Sequence, residues 1–264
     1  MKQGGLRLSG RSKCKRNENR PLISVITVVL NGERTIEKTI RSVIEQSYDN
    51  IEYIIIDGNS TDNTIGILKK YEDFIDFWIS EPDVGIADAF NKGLRFSTGN
   101  YIGFINSDDW YEKDGIRRLV NEMNLNELIY CGHLNLFSSS GDEFVKLHKS
   151  NPKRIFQTMR ISHPSTLVNR SVFDEIGEFS VEYEYAMDYD FFLRARLNGH
   201  NVRIVDHVIA NQRIGGKTSN LLKVYKEELK IKNALMGCKA EHWLWYLENI
   251  VLYFLLKLKN RKND

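Results

Sequence analysis

Between Leu22 and Ile105 the chain alternates four times between an apolar run of strand length and a stretch with helical spacing. Leu22-Ile23-Ser24-Val25-Ile26-Thr27-Val28-Val29-Leu30 is almost continuously apolar, the pattern of a strand buried on both faces. After the turn Asn31-Gly32-Glu33, Thr35 sits where a helix cap belongs, and Ile36, Ile40, Val43 and Ile44 recur at intervals of three and four. Ile51–Ile56 is a second buried strand and ends in Asp57-Gly58-Asn59-Ser60-Thr61-Asp62. A helix over Asn63–Tyr71, a strand over Asp76–Ile79, a loop from Glu81 to Gly85, a helix over Ile86–Phe96 and a strand from Tyr101 to Ile105 follow. Strands separated by helices are joined by crossovers, so the order predicts an α/β domain whose mostly parallel sheet carries helices on both faces. Such sheets bind ligands at the carboxyl ends of their strands. Thr27, Asn31, Asp57, Ser60, Asp83, Asp108 and Asp109 all fall there. No Gly-x-Gly-x-x-Gly follows the first strand and no Gly-Lys-Ser/Thr loop occurs, which argues against ordinary dinucleotide or P-loop binding.

The strand Tyr101–Ile105 runs without a spacer into Asn106-Ser107-Asp108-Asp109. Two carboxylates at the end of a buried strand repel one another and lose hydration unless positive charge stands beside them. Two explanations stand at this point. One is a hard divalent cation, which takes oxygen ligands and shares its shell with phosphates. The other is a cap for the helix expected over Lys113–Met123, because Asp and Ser cap helices.

After residue 125 the pattern changes. Strands are expected over Leu128–His133, Glu143–Leu147, His163–Val168 and Val202–Val205, and helices over Ser171–Ile176 and Asp188–Leu197, closed by Gly177 and Gly199. Gly215-Gly216-Lys217-Thr218-Ser219 is expected to be a flexible loop. No internal repeat or low-complexity segment interrupts the chain.

A net charge of +2 conceals an uneven distribution. Residues 1–20 hold seven Lys or Arg against one Glu, residues 21–220 hold 21 basic against 29 acidic side chains, and residues 221–264 hold nine basic against five acidic ones. An acidic domain (21–220) with a basic flexible arm (1–20) and a basic C-terminal segment (221–264) is expected, and the basic ends suit an anionic surface. Nucleic acid is not expected as a partner, since the central domain is itself acidic. Cys14, Cys131 and Cys238 lie far apart, with no Cys-x-x-Cys pair, which argues against a disulfide framework or zinc site and suits a reducing compartment. No apolar stretch follows the basic start, so no secretory signal is expected. Near the C-terminus, His242–Lys257 is apolar and aromatic but is broken by Glu248 and Asn249. It is marginal for spanning a bilayer. Its Trp, Tyr and Lys residues suit an interfacial amphipathic helix, and a helix packed on the domain or at a homodimer contact is the alternative.

Taken in order, several short motifs resemble those of the inverting, nucleotide-sugar-dependent family 2 glycosyltransferases, which have the GT-A fold. They are Ser24–Asn31, Ile56–Asp62, Asp83-Val84-Gly85-Ile86-Ala87-Asp88-Ala89-Phe90-Asn91-Lys92-Gly93, Thr98–Tyr101, Asn106-Ser107-Asp108-Asp109, His163-Pro164, Asp188-Tyr189-Asp190 before Arg194, and Gly215-Gly216. The resemblance covers about residues 21–220. Asn106 stands where the family's Asp-x-Asp motif has its first acid, which leaves fewer charges for a metal.

The resemblance implies a Rossmann-like GT-A sheet and a set of roles. Thr27, Asn31 and Glu33 would line the nucleotide pocket, with Asp57 accepting from the base edge, Ser60 nearby and Asp83 among the substrate-binding residues. Asp88 and Lys92, one helical turn apart, would either reach the donor or pair with each other. Asp108 would hold Mg2+ or Mn2+ on the donor diphosphate, with Asn106 and Asp109 supporting. An inverting transfer needs a base for the acceptor hydroxyl. Asp188 matches the family's acidic position and Asp190 is the neighbouring candidate. His163 would touch acceptor or phosphate, and Arg194 would pair with a carboxylate. The implied activity is transfer of a sugar from a UDP-sugar to a saccharide, lipid-linked in surface-polysaccharide assembly, by a cytoplasmic enzyme peripheral on the inner face of the cell membrane. The competing readings are a sugar-phosphate nucleotidyltransferase, for which Asn31-Gly32-Glu33-Arg34 lacks a glycine-rich basic loop, and a non-catalytic nucleotide-sugar-binding module, against which Asp108, Asp109 and Asp188 argue.

Overall fold

A computed structural model describes residues 1–11, 20–124, 127–216 and 220–260, with side chains described through residue 255. Its sheet has ten strands: β1 (Lys2–Gly4), β2 (Ile23–Val29), β3 (Ile51–Asp57), β4 (Phe77–Ser80), β5 (Tyr101–Asn106), β6 (Trp110–Tyr111), β7 (Ile129–Phe137), β8 (Phe144–His148), β9 (Thr166–Asn169) and β10 (Val202–Arg213). Their order is β1-β4-β3-β2-β5-β9-β7-β10-β6, with β8 paired on β7. The run β4-β3-β2-β5 is wholly parallel. Beyond it, β9 lies antiparallel to both β5 and β7, while β10 is parallel to β7.

The helices are α1 (Ile36–Ile44), α2 (Thr64–Lys70), α3 (Ile86–Phe96), α4 (Gly115–Asn121), α5 (Arg170–Ile176), α6 (Met187–Leu197), α7 (Leu221–Met236) and α8 (Ala240–Asn260). Two apolar cores result, one per face. Ile36, Ile40, Val43, Ile65, Leu68, Ile116 and Leu119 bring α1, α2 and α4 against one side. Phe90, Leu94, Phe173, Phe191, Leu193 and Ile231 bring α3, α5, α6 and α7 against the other. Doubly buried strands explain why β2, β3 and β5 are nearly all apolar.

Three expectations are corrected. The first eleven residues are not a free arm, although residues 12–19 lie outside the described set. β1 pairs antiparallel with β4, whose edge would otherwise expose unpaired backbone groups. Arg7 then reaches the buried carboxylate of Glu52, which also accepts from Ser24 and from the Thr98 amide at 2.7 Å. A buried carboxylate left without a counter-charge is costly, so this cation belongs to the fold. The second correction concerns His163–Ser165, which form a short 3-10 turn ahead of β9, because Pro164 has no amide to donate to a ladder. The third is that β10 continues past Val205 to Arg213 through register shifts around Val208. Asp206 and His207 fall at that bulge, and a bulge breaks the alternation by which strands are read.

Candidate active site

The loops after β2 and β3 are laced together. Asn31, at φ 53°, donates its amide to Ser60 Oγ at 2.7 Å, and its Oδ1 accepts from the Thr61 amide at 2.9 Å. The Glu33 amide donates to Asp62 at 3.0 Å, and the Glu33 carboxylate accepts from the Asn63 amide at 2.9 Å. Asn31 and Glu33 are exposed at the strand ends and Ser60 is half-buried. Thr35 stands at the N-cap position of α1 without a side-chain cap bond among the described residues.

Two pocket residues sit deeper than expected. Thr27 is fully buried, with its hydroxyl 3.1 Å from Tyr53 Oη. Asp57 is also fully buried and accepts from the Ser60 amide (2.9 Å), Ser60 Oγ (2.5 Å) and Ser80 Oγ (2.7 Å). Its observed work is to fix the Ser60 turn. Asp83 closes the next loop, accepting from the Gly85 amide at 2.9 Å and covering Gly58, where a Cβ would lie 2.4 Å from Asp83 Oδ2. Asp88 and Lys92 do pair, at 3.3 Å, and Lys92 also reaches Glu81 (3.2 Å) and the Pro82 carbonyl (2.7 Å). Burial works against the ammonium, but these partners outweigh it and hold the Lys92 pKa above its ordinary value.

At the end of β5 the two aspartates diverge. Helix α4 starts at Gly115, after the β6 strand, so neither Asp108 nor Asp109 caps it. Asp109 is 1% exposed and turns inward: Oδ1 accepts from the Arg213 amide at 3.1 Å and its carbonyl from Thr39 Oγ1 at 2.6 Å. Its Oδ2 has no hydrogen-bond partner among the described residues. Burial, then the charge of Asp108, pushes the Asp109 carboxyl well above the usual carboxylate range. Asp109 thus ties β5, α1 and β10 together. Asp108 is half-buried. Burial raises its pKa, while the nearby charges of Arg213 and His163 pull it down. Asn106 is half-buried at the strand's last position, and its carbonyl accepts from the Asp109 amide at 3.1 Å.

From the second half, α6 delivers Asp188 in its first turn. One Asp188 oxygen accepts from the Tyr189 amide at 2.8 Å, and the other lies 3.4 Å from His163 Nδ1. The Asp188 side chain is 21% exposed. Phe90, Phe104, Phe179, Phe191 and Phe192 wall a small cavity on its inner side, together with His163. His163 Nε2 is buried with no hydrogen-bond partner among the described residues. Asp190 is turned away and only 5% exposed, 2.8 Å from Arg194. Arg194 in turn donates to the Ile176 and Glu178 carbonyls at 2.5 and 2.9 Å. Of the two candidate bases, Asp188 is the more exposed, at 21% against 5% for Asp190.

A family model described as glycosyl transferase family 2 matches residues 24–181. The chain belongs to glycosyltransferase family 2. An uncharacterized glycosyltransferase of Rickettsia typhi is 30% identical over 192 residues, 68% of this chain and 60% of the relative's length. The Escherichia coli UDP-Glc:alpha-D-GlcNAc-diphosphoundecaprenol beta-1,3-glucosyltransferase WfaP is 26% identical over 251 residues, 92% of this chain and 99% of its own. The mannosyltransferase PcManGT of Pyrobaculum calidifontis, solved with GDP-Man and Mn2+, superposes with a TM-score of 0.64 at 17% identity, over 84% of this chain and 66% of that one. The shared architecture is the GT-A fold, and this family 2 glycosyltransferase is an enzyme of that class.

Sequence reading missed Arg213 of this glycosyltransferase, which β10 brings beside Asp109 and whose Nη1 donates to the Ser140 carbonyl at 2.6 Å. The signal available was a polar Asn211-Gln212-Arg213 end to a strand taken to stop at Val205.

Proposed function

We propose that this glycosyltransferase moves a sugar, with inversion, from a UDP-sugar to a hydroxyl of a lipid-linked saccharide. The observation that carries the reading is the divergence of the two acidic pairs. Asp108 and Asp188 stay partly exposed and share His163 as a neighbour, while Asp109 and Asp190 are buried on structural partners. In the transfer, an acceptor oxygen attacks the anomeric carbon as its proton passes to Asp188, and the bond from that carbon to the nucleoside diphosphate breaks with its electron pair leaving on the diphosphate oxygen. His163 orients the Asp188 carboxylate, and Asn31, Glu33 and Ser60 supply polar groups along the donor side.

Among the described residues there is no cluster of three acidic, His or Cys ligands that could cage a metal. Asp108, with Asn106 beside it, instead fits a cation of the kind that one or two carboxylates and substrate phosphates hold together. Burial that disfavours its lone negative charge is the condition such an ion relieves. Mg2+ or Mn2+ bound there would offset charge on the departing nucleoside diphosphate. WfaP, whose name states a UDP-Glc donor and a diphosphoundecaprenol-linked acceptor, supports the choice of substrates.

The test is a screen of UDP- and GDP-sugars, each with Mn2+ or with chelator. Ligand present at about 100 times its Kd stabilises a protein by about 2.7 kcal/mol. The expected result is a rise in Tm with UDP-sugars and Mn2+ that chelator removes. A rise with GDP-sugars alone would overturn the donor class.

The exposed apolar residues of α8 support a site at the cytoplasmic membrane surface. Trp243, Leu244, Leu247, Val251, Leu252, Phe254 and Leu255 are exposed along it, while His242 is buried and the Trp245 ring packs on Lys232. One face is therefore packed and another is open, and no helix among the described residues is long and apolar enough to cross a membrane. Apolar residues with nearby lysines suit an interfacial helix. Leu247→Glu with Val251→Glu is expected to abolish flotation with phosphatidylglycerol vesicles at unchanged Tm. Unchanged flotation would overturn the membrane reading. So would a solution dimer that only the parent protein forms, since a second copy would then cover this face.

A further inference from the structure

Helix α6 lacks a side-chain cap of its own among the described residues: Ala186 stands at its N-cap position. The missing acceptor comes from α7. The Glu227 carboxylate accepts from three consecutive amides in the turn entering α6: Glu184 at 3.0 Å, Tyr185 at 2.7 Å and Ala186 at 2.9 Å. A carboxylate that takes several amides at a helix start supplies both hydrogen bonds and a charge favourable to the helix dipole.

The next residue of α7 fastens the other half of the same site. Glu228, 2% exposed, accepts from Thr158 Oγ1 at 3.0 Å and from the Met159 amide at 3.1 Å, in the segment that leads to His163. Burial pushes the Glu228 carboxyl up to about 7, and the charge of Asp188 acts in the same direction. Lys232, one turn further on, donates to the Gln157 carbonyl at 2.5 Å and lies 3.0 Å from the centroid of the Trp245 ring. A single helix therefore grips the strands of chain that carry Asp188 and His163, whose side chains meet at 3.4 Å.

We propose that Glu227 is a positioning residue for the base, setting where the Asp188 carboxylate stands against His163 and the acceptor. The proposal rests on the assignment of Asp188 as the base. Glu227 touches no substrate. Its three acceptor bonds fix the backbone two to four residues ahead of Asp188, and a displacement of about 1 Å in a reacting group can cost roughly a hundredfold in rate.

The test compares Glu227→Ala, Glu227→Gln, Asp188→Asn and the Glu227→Ala/Asp188→Asn double variant in the full-length protein. UDP release is measured from UDP-glucose with Mn2+, with amide hydrogen exchange over residues 181–192 measured in parallel. Glu227→Ala is expected to lower kcat by roughly 10- to 100-fold at unchanged KM for UDP-glucose, with faster exchange in that segment. Glu227→Gln, whose amide oxygen still accepts, is expected to recover most of the rate. The double variant is expected to be no slower than Asp188→Asn, because there is no base left to misplace. Parent-like turnover in Glu227→Ala alongside a crippled Asp188→Asn would overturn the positioning role and leave the base intact. So would fully multiplicative losses in the double variant. Parent-like turnover in Asp188→Asn would instead overturn the base assignment.

Discussion

Asp188→Asn is expected to slow transfer by roughly a hundred- to ten-thousand-fold, the range for losing a positioned general base, while donor affinity stays within about twofold of the parent. Asn keeps the size of the side chain and can still accept from the Tyr189 amide, which the carboxylate does at 2.8 Å. It cannot take the acceptor's proton, so the loss falls on the transition state and not on donor binding. Asp190→Asn should behave in the opposite way. Asp190 is buried against Arg194, and that guanidinium holds the Ile176 and Glu178 carbonyls. Weakening a buried charge-assisted pair costs about 1–3 kcal/mol, so Asp190→Asn is expected to lower Tm and leave kcat nearly intact at a temperature where it stays folded. The check is kcat with the true acceptor at saturating donor, alongside thermal unfolding of both variants. An inactive Asp190→Asn with parent-like Tm, beside an active Asp188→Asn, would move the base two residues along the helix.

The alternation of strand and helix was readable because period and burial act locally. Ile23–Val29 or Tyr101–Ile105 can only be a strand covered on both faces, and everything that follows from a parallel sheet, including the placement of Asn31, Ser60 and Asp108 at one rim, comes with it. What was not readable depended on long-range partners. The first residues look like a basic tail by composition, yet Arg7 answers a carboxylate 45 residues away. Asp57 and Thr27 sit at a strand end where ligands bind, but Ser80 and Tyr53, from neighbouring strands, claim their polar atoms. Asp108 and Asp109 are chemically identical side by side. Only the return of β10, bulged at Val208, decides which of them is drawn inward by the Arg213 amide. The same holds for Asp188 and Asp190, which are separated by what α7 and the 176–178 turn contribute from elsewhere in the chain.

The divergence of Asp108 from Asp109 predicts a second large effect. Asp108→Ala is expected to reduce UDP affinity in Mn2+ to the value that the parent shows in chelator, and to reduce transfer by roughly two to three orders of magnitude. That is the scale of several kcal/mol of charge stabilisation supplied by a bound cation. With one partly buried carboxylate and Asn106 as the nearby protein donors, the ion should bind weakly alone and tightly with the diphosphate. Linkage then requires UDP and Mn2+ to raise each other's affinity by the same factor. Calorimetry of UDP with and without Mn2+ measures that factor, and Asp108→Ala should bring it close to one. Asp109→Asn should preserve it. The Asp109 carboxyl is already pushed toward its neutral form by burial and by Asp108, and its role is to hold the Arg213 amide and the end of β5. Its replacement should appear as a loss of about 1–3 kcal/mol in stability, with the coupling between nucleotide and metal retained. A parent-like coupling factor in Asp108→Ala, together with transfer indifferent to chelator, would remove the metal from Asp108. The charge on the leaving diphosphate would then have to be met by protein cations such as Arg213, whose charge already pulls the Asp108 carboxyl down.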